Sequence, residues 1–260
     1  MEDTLSCAHA VGMGCLLGNI NIIAESEERD RKKEIMLVAD RIKIIACQVM
    51  EKEILSIDNR KFDATFIQYK YHDHPEQLHD RIQEEIAHSC DYQCIILGFG
   101  LCGGAIDGIQ AINCPVIIPR IDDCIPLLLG SREKYEQEKK IESGTYFLNH
   151  GWIEYGNDAL KDFHKWREMY GEQKANWLIK EFYKPYTRVA FINSGFDDKE
   201  RYLSYAKKLS DFLNIKLDVI SGHLGFIRQL LNLECNNSDY IILEPGQKAE
   251  RSMFRPNDCL

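Results

Sequence analysis

The sequence lacks the compact motifs by which several large enzyme classes are recognised. It contains neither a Walker A phosphate-binding loop nor the G-x-S-x-G elbow of serine hydrolases. It also lacks an excess of basic residues: the formal net charge is −9, which argues against general nucleic-acid binding. Its N-terminal apolar segment is interrupted by asparagines and falls short of the roughly 20 residues that a bilayer requires. We therefore expect neither a nucleic-acid partner nor a membrane span.

Cysteine, by contrast, is abundant, with 10 residues in a chain of 260. The first residues show no basic n-region of a secretory leader, and the cysteine spacing is irregular. These features predict reduced thiols in a cytoplasmic protein rather than a disulfide scaffold. No C-x-x-C motif is present, so a metal site would have to combine thiols that are far apart in the chain.

Apolar, β-branched runs alternate with helical patterns from residue 42 onward. Continuous runs of this kind are typical of parallel strands that are buried on both faces. The pattern predicts an α/β fold with two Rossmann-like βαβ lobes, mainly parallel sheets, a helical connecting segment and a candidate internal duplication. The strands are predicted at 42–46, near 65–69, and at 94–98, 116–119, 188–192, 215–220 and 239–243.

The predicted domain organisation has four segments. An N-terminal extension with a charged helix occupies 1–40, and a first α/β lobe occupies 41–130. A connecting, mostly helical segment follows at 131–187, and a second α/β lobe at 188–260. Residues 157–183 of the connecting segment carry an aromatic stripe at helical spacing, which indicates packing between lobes rather than a cofactor pocket.

Two helices have clear boundary signals. Pro75 is predicted at the first position of a helix whose buried face carries Leu78, Ile82 and Ile86, four residues apart. Ser131 is predicted to cap a charged helix that runs through residue 140.

Three cysteines follow predicted strands of the first lobe. Cys47 comes after the first strand, Cys102 lies in a glycine-rich turn, and Cys124 follows the fourth strand. Ligands of open parallel sheets bind beyond the carboxyl ends of the strands, so we expect these thiols to converge on one metal site. A helix that begins at Cys47 would favour its thiolate.

The three-cysteine pattern fits two cofactors. Zinc would take a fourth ligand such as His74, Asp122 or water. A [4Fe–4S] cluster, which four cysteines normally hold, would leave one iron open to substrate. His74 is the histidine expected to face the cleft, whereas His72 and His79 are interpreted as surface residues.

A G-x-G-x-x-G match at 98–103 follows the third predicted strand instead of opening the first βα unit. An anion or phosphate on the loop is therefore favoured over a dinucleotide, with Gly100, Gly103 and Gly104 as candidate binding residues. A short helix is predicted near 104–111.

Charged residues complete the candidate site. Arg120 forms either an ordinary surface ion pair or a bidentate clamp for a carboxylate or phosphate. Asp123 and His74 are the candidate catalytic residues, as proton carriers.

Four runs within about residues 42–250 are distinctive in combination: IIACQVMEKEIL, ILGFGLCGG, VIIPRIDDCIPLLLGSREKY and GTYFLNHGW. Together they resemble the domain-of-unknown-function 1638 family of anaerobic bacteria and methanogenic archaea. The resemblance implies cysteine at the positions of Cys47, Cys102 and Cys124, with Arg120 and Asp123 between the last two. It also implies an association with corrinoid-dependent methyl transfer.

Two functions follow as hypotheses, and whether the protein is an enzyme stays open. In the first, the metal site acts on a small sulfur- or methyl-bearing substrate in anaerobic one-carbon metabolism. In the second, the protein is a non-catalytic binding or accessory module for a corrinoid protein or cofactor. Residues 157–183 would then form its docking face.

Overall fold

The computed structural model describes residues 41–57, 62–232 and 238–254. The predicted N-terminal extension and charged helix at 1–40 lie outside the described residues. Within these residues the chain forms a five-stranded and a three-stranded β-sheet. The strands are β1 Ile42–Cys47, β2 Phe62–Ile67, β3 Cys94–Gly98, β4 Val116–Pro119, β5 Thr145–Leu148, β6 Arg188–Asn193, β7 Lys216–Ser221 and β8 Tyr240–Leu243.

Helices connect most of the strands. The α-helices are α1 Glu51–Leu55, α2 Pro75–His88, α3 Ile125–Leu129, α4 Arg132–Ile141, α5 His150–Tyr155, α6 Ala159–Tyr170, α7 Glu172–Tyr183, α8 Lys199–Leu213 and α9 Gly225–Leu231. Short 3₁₀ segments lie at Gln48–Met50, Tyr69–Asp73, Cys102–Gly104 and Arg251–Phe254. In the described part of the chain, no helix is both long and apolar enough to cross a membrane.

The five-stranded sheet has the order β2-β1-β3-β4-β8, and the first four strands of that order are parallel. Strand β1 pairs with β2 on one side and with β3 on the other. The chain therefore leaves β1 in one direction and returns to its opposite side, which creates a topological switch point between β1 and β3. Open parallel sheets bind ligands in the crevice beyond the carboxyl ends of the strands at such a point.

Burial explains why the apolar runs form the centre of this sheet. Every residue of β3 and of β4 is buried, as expected for strands that are covered on both faces. Helix α2 begins at Pro75 and buries Leu78, Ile82 and Ile86. The predicted start and buried face of this helix are confirmed.

The three-stranded sheet consists of parallel strands in the order β5-β6-β7. Side-chain caps begin the helices that follow β5. Asn149 accepts a hydrogen bond from the Trp152 N–H at 2.9 Å, and Asp158 accepts one from the Leu160 N–H at 2.9 Å. The core beside this sheet contains Leu148, Ile153, Ala159, Ile179, Val189, Phe191, Tyr202, Ala206 and Leu209.

Two strands belong to a different sheet from the one that their predicted segment implies. The run 239–243 is predicted to complete the second lobe, but β8 pairs antiparallel with β4, with Ile242 opposite Ile117. Strand β5 lies within the predicted connecting segment and pairs with β6. A short apolar run indicates a buried strand but not its partner, which long-range packing decides. The α/β class with mainly parallel sheets is confirmed, while the domain boundaries and the duplication stay predictions.

The helix predicted near 104–111 does not form. A 3₁₀ segment and further turns occupy this region instead. The φ angles of Cys102, Gly103 and Gly104 are +46°, +69° and +102°, which a right-handed helix cannot accommodate. The glycine-rich sequence therefore forms a tight loop rather than the start of a phosphate-binding helix.

Candidate functional site

Three cysteines lie at the carboxyl edge of the five-stranded sheet, beside the switch point. Cys47 is the last residue of β1, Cys102 lies in the loop after β3, and Cys124 immediately precedes α3. Cys47 and Cys124 are buried, Cys102 is half-buried, and all three are free thiols. We call these three residues the thiol cluster.

Backbone contacts hold the loops of Cys102 and Cys124 together. The Cys102 N–H donates to the Asp122 carbonyl oxygen at 2.9 Å. Gly100 permits this approach, because a Cβ atom at that position would lie only 2.7 Å from the Asp123 nitrogen. Cys102 has a left-handed φ of +46°, which is unusual for a residue with a side chain and common at functional sites.

Aromatic side chains of the Tyr69–Asp73 segment lie against the thiol cluster. His72 Nε2 lies 3.0 Å from Cys47 Sγ, which is within hydrogen-bond distance. The His72 ring stacks on Tyr69 and Phe99, with centroid separations of 5.3 and 6.2 Å. Burial lowers the pKa of His72, which favours a neutral imidazole that can accept a hydrogen bond from the Cys47 thiol.

Burial keeps the thiols of the cluster protonated. It raises the pKa of Cys47 to about 12. It also raises the pKa of Cys102 and of Cys124, and Cys47 and Asp123 raise both further by electrostatic repulsion. Repulsion from Cys102 adds to the pKa of Cys124. The thiols of Cys102 and Cys124 therefore lie within electrostatic range of Cys47.

Asp123 is anchored beside the thiol cluster. Its carboxylate accepts hydrogen bonds from the Ile125 N–H at 2.9 Å and from the Tyr135 hydroxyl at 2.8 Å. Burial raises the pKa of Asp123 above its ordinary value. A fixed carboxyl group with a raised pKa is suited to proton transfer, and the role of Asp123 as a proton carrier stays a prediction.

The thiol side chains do not form a coordination shell as they stand. Across 41–57, 62–232 and 238–254, no three His, Cys, Asp or Glu side chains are arranged as a metal-binding group. The donor types nevertheless fit two cofactors. Three thiols with an imidazole match the sulfur and nitrogen ligands of zinc, and three thiols alone match a cluster with one open iron. Binding would require the thiols to rotate from backbone positions that already meet at this edge.

Comparison of the sequence with protein-family models gives one match. A family model described as "Protein of unknown function (DUF1638)" matches residues 66–231, which is more than half of the chain. The chain belongs to the DUF1638 family. No curated protein and no solved structure matches it. The resemblance inferred from the four sequence runs is thereby confirmed. Cys102 and Cys124 lie within the matched residues, whereas Cys47 precedes them.

Arg120 of this DUF1638 protein makes hydrogen bonds to the last described residues. Its Nη1 donates to the Met253 carbonyl oxygen at 2.5 Å and its Nη2 to the Tyr240 carbonyl oxygen at 3.2 Å. A Cβ atom at Gly104 would lie 2.7 Å from Arg251 Nη2. These contacts give Arg120 and Gly104 a structural role. The binding of a cofactor or anion by Gly100, Gly103, Gly104 and Arg120 stays a prediction.

The histidine beside the thiol cluster is not the predicted one. His74 directly precedes α2 and its side chain is exposed, so its catalytic role stays a prediction without support from its position. His72, interpreted as a surface residue, is half-buried, and its ring contacts Cys47. Residues three apart share one side of a 3₁₀ turn, and Tyr69 and His72 have this spacing. Recognition of a 3₁₀ segment would have identified His72 from the sequence.

Proposed function

We propose that Cys47, Cys102 and Cys124 bind a metal ion or an iron–sulfur cluster at the carboxyl edge of the five-stranded sheet. The observation that carries the proposal is that three free thiols from separate strand ends, two of them buried and one half-buried, lie at one sheet edge beside a switch point. Parallel sheets bind ligands at this position. Thiolates are the preferred ligands of structural zinc and of iron–sulfur clusters.

The electrostatics of the thiol cluster give a second argument. Cys47, Cys102 and Asp123 all act on Cys124, and each disfavours its ionisation. A bound cation reverses this effect, since a coordinating thiol loses its proton even where burial alone would keep it. The thiols are therefore expected to ionise together with metal binding and to release their protons.

His72 is the proposed partner of Cys47 in this process. Its Nε2 atom lies 3.0 Å from the sulfur. The neutral ring either accepts the Cys47 proton as the metal binds or supplies the fourth ligand through the same nitrogen. Both roles use one atom, so replacement of His72 weakens metal binding in either case.

The proposed chemistry concerns a small sulfur- or methyl-bearing substrate. A metal at such a site supplies Lewis-acid activation of a bound thiol or water. The support for corrinoid-dependent methyl metabolism in anaerobes is the family resemblance. A cytoplasmic location is also part of the proposal, because a reducing compartment keeps such thiols free.

A second candidate function is a non-catalytic binding module for a corrinoid protein. The observation that favours it is the exposure of large apolar side chains on α6 and α7. Trp177 is 58% exposed and Phe182 is 65% exposed. Aromatic residues of this size are enriched in protein interfaces and among their energetically important contacts.

Metal analysis of the full chain purified without oxygen tests the first proposal. About one zinc per chain with no visible absorption band would support a zinc site. Iron with a broad band near the blue would support an iron–sulfur cluster. Absence of any stoichiometric metal, also after addition of zinc or iron with sulfide, would contradict both.

Binding to a purified corrinoid protein tests the second candidate. The double variant Trp177→Ala and Phe182→Ala is expected to weaken binding by more than tenfold, since large aromatic contacts dominate interface energies. Val219→Ala is the matched control and should bind normally. Val219 is 53% exposed and lies on β7, an edge strand of the three-stranded sheet. Undetectable binding, or equal affinity for both variants, would exclude the docking face.

A further inference from the structure

A buried carboxyl group joins α1 to the carboxyl edge of the three-stranded sheet. Glu53 is 0% exposed. Its Oε1 atom accepts hydrogen bonds from the Ser194 hydroxyl at 2.8 Å and from the Asn149 side-chain amide at 3.3 Å. Ser194 follows β6 and Asn149 follows β5. The carboxyl group of Glu53 on α1 therefore contacts the ends of two strands of the three-stranded sheet.

The same contact region includes the turn that follows Cys47. The Asn149 amide also donates to the Val49 carbonyl oxygen at 3.1 Å. A Cβ atom at Gly151 would lie only 2.0 Å from that oxygen, so the two segments touch directly. Val49 belongs to the Gln48–Met50 segment, which begins immediately after Cys47. We call this contact region the latch and define it as Val49, Glu53, Asn149, Gly151 and Ser194.

The hydrogen bonds of Glu53 are unevenly distributed over its two oxygens. Glu53 Oε2 is buried and has no hydrogen-bond partner among the described residues. Burial of a carboxylate with one unpaired oxygen is unfavourable, whereas a protonated carboxyl group is tolerated far better. Burial accordingly raises the pKa of Glu53 to about 7, although the hydrogen bonds from Ser194 and Asn149 oppose the rise.

The charged and titratable groups that face Glu53 do not cancel the rise in its pKa. His150 Nδ1 lies 3.4 Å from Glu53 Oε1, but burial lowers the pKa of His150 to about 4, so its ring is neutral near pH 7. Lys52 lowers the pKa of Glu53, yet its ammonium group is paired with Asp198 at 2.7 Å. Glu154 acts on His150 and favours its charged form.

We propose that Glu53 makes the latch pH-sensitive: the neutral acid holds the turn after Cys47 against the three-stranded sheet, and loss of its proton loosens that turn and exposes Cys47. The ionised carboxylate gains water as a hydrogen-bond partner only when the latch opens, so ionisation favours the open form. Control of access to the thiol cluster is the functional meaning of this latch and rests on the proposed metal site. The opening itself requires no metal.

Alkylation of the full chain by iodoacetamide in the presence of a chelator tests the latch. Peptide mass spectrometry gives the rate at Cys47, and wild type is compared with Glu53→Gln from pH 6 to pH 8.5. Because thiol ionisation is common to both proteins, the ratio of the two rates isolates Glu53. We expect this ratio to rise about tenfold across the range, from the difference between a buried and a solvated carboxyl pKa. Cys90, which is exposed, is the internal control and should react equally in both proteins.

Ser194→Ala provides a second variant in case Glu53→Gln does not fold. Loss of the Ser194 hydrogen bond raises the pKa of Glu53 in the closed form further, so the acceleration of alkylation should continue to higher pH than in wild type before it levels off. A wild-type to Glu53→Gln ratio that stays constant with pH, or an acceleration in Ser194→Ala that levels off at the same pH as in wild type, would overturn the latch. The metal site is tested separately, because the chelator keeps metal off Cys47 during the alkylation.

Discussion

The carboxyl edges of the two parallel sheets carry different chemistry. At the edge of the five-stranded sheet, Cys47 disfavours the ionisation of Cys102 and of Cys124, and Cys102 disfavours that of Cys124. At the edge of the three-stranded sheet, Asn149 and Ser194 donate hydrogen bonds to Glu53. Buried thiols of this kind stay neutral unless a cation favours their ionisation, whereas donors and acceptors that pair need no cation. The comparison is consistent with the proposed binding site at the first edge, and the second edge is a contact between the sheets.

The largest expected effect comes from removal of one thiol of the first edge. Cys124→Ser should weaken zinc binding by roughly 1,000-fold or more, about 4 kcal/mol, because a thiolate ligand is lost. Competition with a chromophoric chelator measures the affinity. Cys90→Ser, at an exposed cysteine, is the matched control and should leave the affinity unchanged. Equal affinities in both variants would break the distinction between the two edges.

The next effect concerns the close packing that joins the second edge to the first. Gly151→Ala should lower the free energy of unfolding by roughly 3 kcal/mol or more, because its Cβ would overlap the Val49 carbonyl group. Gly171→Ala is the control: nothing lies within 4 Å of its Cβ position, and only its φ of +81° is strained. Its expected cost is about 1 kcal/mol. Denaturant unfolding that gives similar losses for both variants would contradict the close contact.

A pH titration of stability examines the second edge alone. The folded-state pKa of Glu53 is raised from 4.5 to about 7, so the folded protein binds more protons than the unfolded chain between these values. The stability of wild type relative to Glu53→Gln should therefore fall as pH rises through this window, by roughly 3 kcal/mol in all. Below it and above it the difference should be constant. Thermal unfolding with a pH-independent difference would show that Glu53 does not titrate in the latch.

The smallest effect is expected at the solvent-exposed border of the second edge. Lys52 and Asp198 form an ion pair at 2.7 Å with side chains 38% and 43% exposed. Asp198→Asn should lower stability by about 0.5 kcal/mol or less, since exposed pairs are screened by water and salt. A loss as large as that of Gly151→Ala would indicate that charge rather than close packing holds the sheets together.

Local signals in the sequence predict much of the framework. The buried face of Leu78, Ile82 and Ile86 follows from their spacing. The Ser131 cap, which accepts a hydrogen bond from the Lys134 N–H at 3.1 Å, follows from residue type and position. Both predictions are confirmed because they depend on neighbouring residues only. The sheet partner of β8 depends on residues far away in the chain, and its antiparallel pairing with β4 could not be read from an apolar run.

The positions of the three cysteines at one sheet edge could be predicted from the sequence, but the burial of Glu53 could not. Cysteine after each of three strands places Cys47, Cys102 and Cys124 at one edge because parallel strands share a direction. Glu53 lies in the charged run EKEIL, where a single carboxylate is typical of a solvated helix face. Its burial arises from contact with Ser194 and Asn149, more than 90 residues away, as the separations of 141 and 96 residues show.

The most direct test of the account is X-ray absorption spectroscopy of the metal in the protein purified without oxygen or reconstituted with zinc. We predict about three sulfur neighbours at roughly 2.3 Å, and one sulfur fewer in Cys47→Ser, which leaves Cys102 and Cys124 in place. A metal surrounded only by nitrogen and oxygen, or a sulfur count that Cys47→Ser does not change, would contradict the account.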